Sequence, residues 1–235
     1  MTPAPLIALP GTLLDSRSLA LMLSGLSAKT LVLGEADGLD DEADRLAAQA
    51  HAPAIWVGHS LGGIVALHLA RRHPGRVAAL VLLASNARAG RDTPEARRAA
   101  HWELAQRHGL ARLARDELAP AYGLVPGDAM VASLAEQAEC VGLARFRRQL
   151  SYARERPGLL APPHWLTCPV LALSGERDGL CPPGHSCELI ALVQPPACGE
   201  HHMLADAGHL FPMQQAPLAA LVLHRFLTSL GQGVI

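Results

Sequence analysis

Short unbroken apolar runs recur along this sequence: Leu6–Leu9, Ile55–Val57 within AIWV, Val77–Leu83 (VAALVLL) and Val170–Leu173 at the head of the predicted strand Val170–Ser174. A strand with one face in water alternates apolar with polar residues, so a continuous run calls for burial on both faces, as in a parallel sheet covered by helices. Helical patterns separate the runs. The spacing predicts helices over Ser16–Leu26, Asp40–Ala50, Leu61–Arg72, Gly184–Val193 and Gln214–Leu230, with further strands at Thr30–Leu33 and His202–Leu204. Asp40–Ala50 carries acidic residues in its first turn, where they suit the helix dipole, and Pro74-Gly75 stops the helix that begins at Leu61. The expected fold class is α/β with a mostly parallel, doubly wound sheet.

From Asn86 to about His164 the strand signal disappears and the chain becomes Ala-, Leu- and Arg-rich with helical periodicity. Because βα units resume afterwards, residues 86–164 read as a helical cap inserted into one domain spanning 1–235. The insertion holds twelve of the nineteen arginines against nine acidic residues. That surplus reads mainly as a solvated face and, in its functional sense, as a docking face for an acidic carrier protein or an anionic substrate.

Half of the 235 residues are hydrophobic and the formal net charge is −1. A core is therefore available, and no global charge attracts nucleic acid or an anionic membrane. The N-terminus lacks a basic region before its apolar residues, and the longest wholly apolar run, Val77–Ala84, is far shorter than the roughly 20 residues of a membrane span. A soluble, cytoplasmic protein is expected. Five unevenly spaced cysteines, Cys140, Cys168, Cys181, Cys187 and Cys198, argue for reduced thiols over a disulfide framework.

GHSLGG, Gly58–Gly63, lies between the apolar run ending at Val57 and the helix. A serine on so sharp a strand-to-helix turn is held in strained backbone, and flanking glycines remove side chains that would collide with strand and helix. Its hydroxyl then stands at the carboxyl edge of the sheet, where open α/β folds bind ligands. A serine hydroxyl becomes a useful nucleophile only beside a base, and the base needs an orienting acid. Asp178 in GERD, after the strand Val170–Ser174, is the candidate acid, and His209 in AGHL, before the last helix, is the candidate base. Glu176 and Asp206 compete for the acid role, and position after the penultimate strand favours Asp178.

GHSLGG after a strand, GERD after a later strand and AGHL before the last helix together resemble the α/β-hydrolase fold family over nearly the whole chain. The resemblance implies a Ser60–His209–Asp178 hydrolase with a helical cap. Members of that family usually begin with a two-stranded hairpin, whereas this chain opens on what resembles the third strand, so a sheet shortened at that edge is expected. Pro10-Gly11 stands where many members carry His-Gly. An oxyanion would be held by two backbone N–H groups, one from Leu61 and one from the loop Pro10–Leu13. Proline has no N–H, so Thr12 is the choice, with Leu13 second.

His59 precedes the serine on a tight turn and reads as structural. His201 and His202 with Cys181, Cys187 and Cys198 match no common zinc spacing, so neither metal nor cofactor is expected. Leu13, Trp102, Tyr122, Phe146, Tyr152 and Phe211 are candidate walls of an apolar substrate pocket. The expected reaction is cleavage of a small-molecule carboxylic ester through an acyl-enzyme. Enol-lactonase, carbon–carbon hydrolase and carrier-linked methyl esterase are alternatives within the same fold, and a non-catalytic ligand-binding protein is the alternative outside enzymology.

Overall fold

Along the chain the elements run β1 (Leu6–Leu9), α1 (Arg17–Ala20), β2 (Ala28–Thr30), α2 (Leu39–Ala48), β3 (Ala54–His59), α3 (Leu61–Arg72) and β4 (Val77–Leu83). A helical segment follows with α4 (Glu95–His108), α5 (Leu110–Leu113), α6 (Ala119–Ala121), α7 (Ala129–Val141) and α8 (Leu143–Glu155). The chain closes with β5 (Val170–Gly175), α9 (Pro183–Ile190), β6 (Gly199–Leu204), α10 (Phe211–Gln214) and α11 (Ala216–Ser229). The structure is a computed structural model that describes residues 4–92 and 95–231. Among them no helix is long and apolar enough to cross a membrane.

All strands pair in parallel, in the order β2-β1-β3-β4-β5-β6. Successive side chains of a strand point to opposite faces, and here each face is covered. Trp56, Leu80, Leu82 and Val170 pack with α2 and α3, whereas Ile55, Val57, Val81, Leu171 and Leu173 pack with Phe211 and with Leu223 and Phe226 of α11. The apolar runs are unbroken because both faces are core. From β1 the chain steps outward to β2 and returns on the other side as β3. The order therefore reverses between β1 and β3, and such switch points are where open α/β sheets bind ligands, at the strands' carboxyl ends.

A third cluster joins insertion residues such as Leu113, Leu134 and Phe146 to Leu13, Leu14 and Leu210 from the loops at that edge. The helical segment thus lies over the carboxyl ends of the strands.

Several boundaries differ from expectation, and three of them have a clear local cause. The second strand is Ala28–Thr30 instead of Thr30–Leu33, because after Leu31 N–H bonds Ala8 O the chain leaves the ladder and Leu33 turns into the core. Only one turn of the Ser16–Leu26 helix forms, and the remainder tightens into turns ending at Gly25, whose φ is +81°. The C-terminal helix begins at Ala216 instead of Gln214 and is separated from α10 at Gln215, since Pro217 has no N–H to give the Met213 carbonyl.

The Glu42 carboxylate is fully buried. Glu42 accepts the N–H groups of Gly34 and Ala36, both at 3.0 Å, and pairs with Arg45 at 2.8 Å. This bond set ties the segment after β2 to α2. Glu42→Ala leaves two backbone donors without an acceptor, and a loss of about 3 kcal/mol in urea unfolding is expected.

Candidate active site

β3 ends at His59 and α3 begins at Leu61, so Ser60 alone makes the turn. Its backbone stands at φ 51°, ψ −115°, which costs an L-residue about 1–3 kcal/mol. The surroundings enforce it: Ser60 N–H donates to Leu83 O at 2.8 Å, and Ser60 O accepts from Ser85 Oγ at 2.9 Å. Close approach explains the glycines. A Cβ at Gly58 would lie 2.5 Å from Gly63 N, and one at Gly62 would lie 2.0 Å from Leu9 O.

His209, in the loop between β6 and α10, faces both partners. Its Nε2 is 3.0 Å from Ser60 Oγ and its Nδ1 is 2.8 Å from Asp178 Oδ2. Since a carboxylate only accepts, Nδ1 carries the proton, and Nε2 is left to accept from the serine hydroxyl. The other oxygen, Asp178 Oδ1, accepts the N–H groups of Leu180 (2.8 Å) and Cys181 (2.9 Å). Burial pushes the Asp178 carboxyl up, but the His209 bond and charge together with these two N–H groups outweigh it and hold it below the usual carboxylate range. The stability this contributes is present above the unfolded carboxylate pKa and is lost as pH falls through the lower folded value.

The competing carboxylates are elsewhere. Asp206 is exposed and paired with Arg177, and Glu176 accepts the Asp206 N–H at 2.9 Å. His59 turns from the serine and places Nε2 3.0 Å from His209 O. Burial, seconded by the nearby His209, pulls its pKa down to about 3, so it is neutral and donates to that carbonyl. The Tyr122 ring stacks on His209, with centroids 5.1 Å apart and planes 15° apart.

Beside Ser60 runs the loop after β1: a Cβ on Gly11 would stand 3.3 Å from Ser60 Cβ. Leu14 N–H closes a turn on Gly11 O at 3.2 Å, and Leu13 within it has φ 56°. The Leu13 N–H is already spent on Gln149 Oε1 at 3.0 Å. Neither the Thr12 nor the Leu61 N–H has a hydrogen-bond partner among the described residues. Of the two loop donors considered from sequence, Thr12 is the one left over.

The expected pocket walls divide. Tyr122 reaches His209, and Trp102 lines a cleft of about 760 Å³ with Arg98, Arg147, Arg148 and Arg154. Ser60, Asp178 and His209 are not among the residues lining that cleft. Phe211 is a correction: it is sealed against the opposite face of the sheet with Leu173 and Phe226. Tyr152 is another, packed in the cluster with Trp56, its hydroxyl donating to Ala36 O. Leu13 and Phe146 are closed inside the insertion's core. These apolar side chains carry the same pattern whether they face core or cavity, so the sequence held no signal to separate them.

All five cysteines are free. Cys187 Sγ lies 3.6 Å from His201 Nδ1, and among the described residues no three His, Cys, Asp or Glu side chains gather as a metal would require.

A family model described as serine aminopeptidase, S33 matches residues 36–213. The chain belongs to this family of α/β-hydrolases. This α/β-hydrolase superposes on a thermophilic esterase from Thermogutta terrifontis with a TM-score of 0.81, at 22% identity over 97% of this chain and 91% of that one. It also superposes on the enol-lactonase from Burkholderia xenovorans LB400, with a TM-score of 0.77 and 21% identity over 96% and 92% of the two chains. By sequence it is similar to a pimeloyl-[acyl-carrier protein] methyl ester esterase of Neisseria meningitidis, 58% identical over 55 residues, 23% of this chain and 21% of that protein. A protein of the same name from Vibrio vulnificus is 30% identical over 163 residues, 63% of this chain. These matches span from about a fifth to 60% of the relatives' length.

Proposed function

We propose that this α/β-hydrolase cleaves carboxylic esters through an acyl-enzyme on Ser60. The observation that carries the reading is His209, buried between Ser60 Oγ at 3.0 Å and Asp178 Oδ2 at 2.8 Å. Ser60 Oγ attacks the ester carbonyl while His209 Nε2 takes its proton, and the Asp178 carboxylate stabilises the imidazolium. The Leu61 and Thr12 N–H groups receive the oxyanion. Collapse expels the alcohol, protonated by His209, and water then repeats the sequence on the acyl-enzyme.

A carrier-linked methyl ester is the more specific substrate reading. It is supported by the names of the relatives and by the cleft where Arg98, Arg147, Arg148 and Arg154 outnumber the lining carboxylates Asp37 and Glu95, which pair with Arg148 and Arg98. An acidic carrier would be steered there by charge. A fluorophosphonate probe is expected to label wild-type protein at Ser60 and to leave Ser60→Ala unlabelled; equal labelling of both would overturn the ester reading. On a panel of 4-nitrophenyl esters, lactones and carrier-linked methyl esters, salt should depress only the carrier-linked rate. A preference for lactones would replace the ester assignment with that of a lactonase.

A further inference from the structure

Two glutamines of the insertion, Gln137 on α7 and Gln149 on α8, are fully buried. Amides are placed in a core only where their polar atoms are met, and both of these reach the loop after β1. Gln149 Oε1 accepts the Leu13 N–H at 3.0 Å while its Nε2 donates to Leu33 O at 3.0 Å. Gln137 Oε1 accepts the Asp15 N–H at 3.2 Å, and its Nε2 donates to Ser133 Oγ at 3.2 Å. The sequence separations are 136 and 122 residues.

Leu13 is the informative residue. The turn Gly11–Leu14 has its third residue at φ 56°, the position at which a type II turn ordinarily requires glycine. A leucine there prefers the type I turn, reached by flipping the peptide between Thr12 and Leu13. That flip would present the Thr12 carbonyl to Gln149 Oε1, acceptor against acceptor. The amide cannot simply reverse to suit, because Leu33 O requires Nε2 on its own side. Gln149 therefore selects one orientation of the Thr12–Leu13 peptide and takes up the Leu13 N–H, while the N–H of Thr12, on the preceding peptide next to Gly11, has no partner among the described residues.

We infer that Gln149, with Gln137 as a second strap, is a positioning residue: it holds the oxyanion loop in a conformation that the loop's own sequence disfavours, and so couples the insertion to catalysis. The inference rests on the serine-hydrolase reading above. It also makes the insertion part of the catalytic geometry, in addition to its place over the sheet edge.

The test is a double-mutant cycle. Gln149→Met keeps the volume and removes the acceptor. With a small 4-nitrophenyl ester, kcat should fall roughly 10- to 100-fold, short of the 10²–10³ seen when an oxyanion donor is deleted outright, with KM changed little. Glycine needs no strap at positive φ, so in a Leu13→Gly background the same substitution should cost under about 3-fold. Unchanged kcat in Gln149→Met, or an equal loss in both backgrounds, overturns the inference. Amide spectra of wild-type protein, which do not depend on the variants folding, supply a second readout. A phosphonate adduct should shift the Thr12 and Leu61 amides and leave a slowly exchanging Leu13 amide in place, and a dominant shift at Leu13 overturns the assignment. If wild-type and Ser60→Ala hydrolyse the ester equally, the hydrolase reading itself has failed, a result separable from any of these.

Discussion

Ser60→Ala is expected to lower kcat/KM on a 4-nitrophenyl ester by on the order of 10⁵-fold, and Asp178→Asn by about 10⁴-fold. The second figure is large for a residue that never touches substrate. Asp178 Oδ2 accepts the His209 Nδ1–H with 2.8 Å between the heavy atoms, and an asparagine that offers N–H there would favour the wrong tautomer and remove the acceptor from Nε2. Asp206→Asn is the control that gives the comparison its force. Asp206 follows β6 and lies only three residues before His209 in sequence, yet it is exposed and paired with Arg177. Its substitution should change the rate no more than a few-fold. A greater loss in Asp206→Asn than in Asp178→Asn, measured as steady-state kcat/KM on folded protein, would reassign the acid.

Gly62→Ala is expected to damage folding and chemistry together. The added Cβ would lie 2.0 Å from Leu9 O and 2.8 Å from Pro10 O. Both are backbone atoms, and Leu9 is held in register with Gly58 in the β1–β3 pairing. Relief requires either α3 or the loop after β1 to move, and these carry the Leu61 and Thr12 N–H groups respectively. A loss of about 3 kcal/mol in urea unfolding is expected, with kcat falling at least 10²-fold through misplacement of one of the two proposed oxyanion donors. Gly75→Ala provides the contrast. Nothing lies within 4 Å of a Cβ there and its φ is not positive, so stability should stay within about 0.5 kcal/mol of wild type. Equal behaviour of the two variants would remove the steric explanation of the GHSLGG glycines.

Elements are legible in the sequence where local pattern and tertiary burial coincide. Val77–Leu83 and the helix Leu61–Arg72 are found at the expected residues because continuous apolar character and a Pro-Gly stop are local signals. The edge strand β6 was only half visible. It runs Gly199–Leu204, but at the sheet's edge its side chains are largely exposed, so GEHH carries no burial pattern to read. Ser60, Asp178 and His209 could be nominated because each follows a strand at the sheet's carboxyl edge, a position that chain order alone specifies.

Other features depended on contacts between residues more than a hundred positions apart. Which of the Thr12 and Leu13 N–H groups is already bonded is decided by Gln149, which reaches Leu13 from α8, and nothing in the composition of the insertion distinguishes that glutamine from its polar neighbours. Whether an aromatic residue lines a pocket or fills a core depends on side-chain direction: Tyr122 stacks on His209, while Tyr152 and Phe211 are sealed among core residues. The sequence by itself therefore determined the parallel sheet and the order of its reactive side chains, because burial periodicity and strand-end position are written locally. The tertiary structure alone decided which backbone N–H groups stay available and which aromatics face the site, because hydrogen-bond partners and side-chain directions are set by packing in three dimensions.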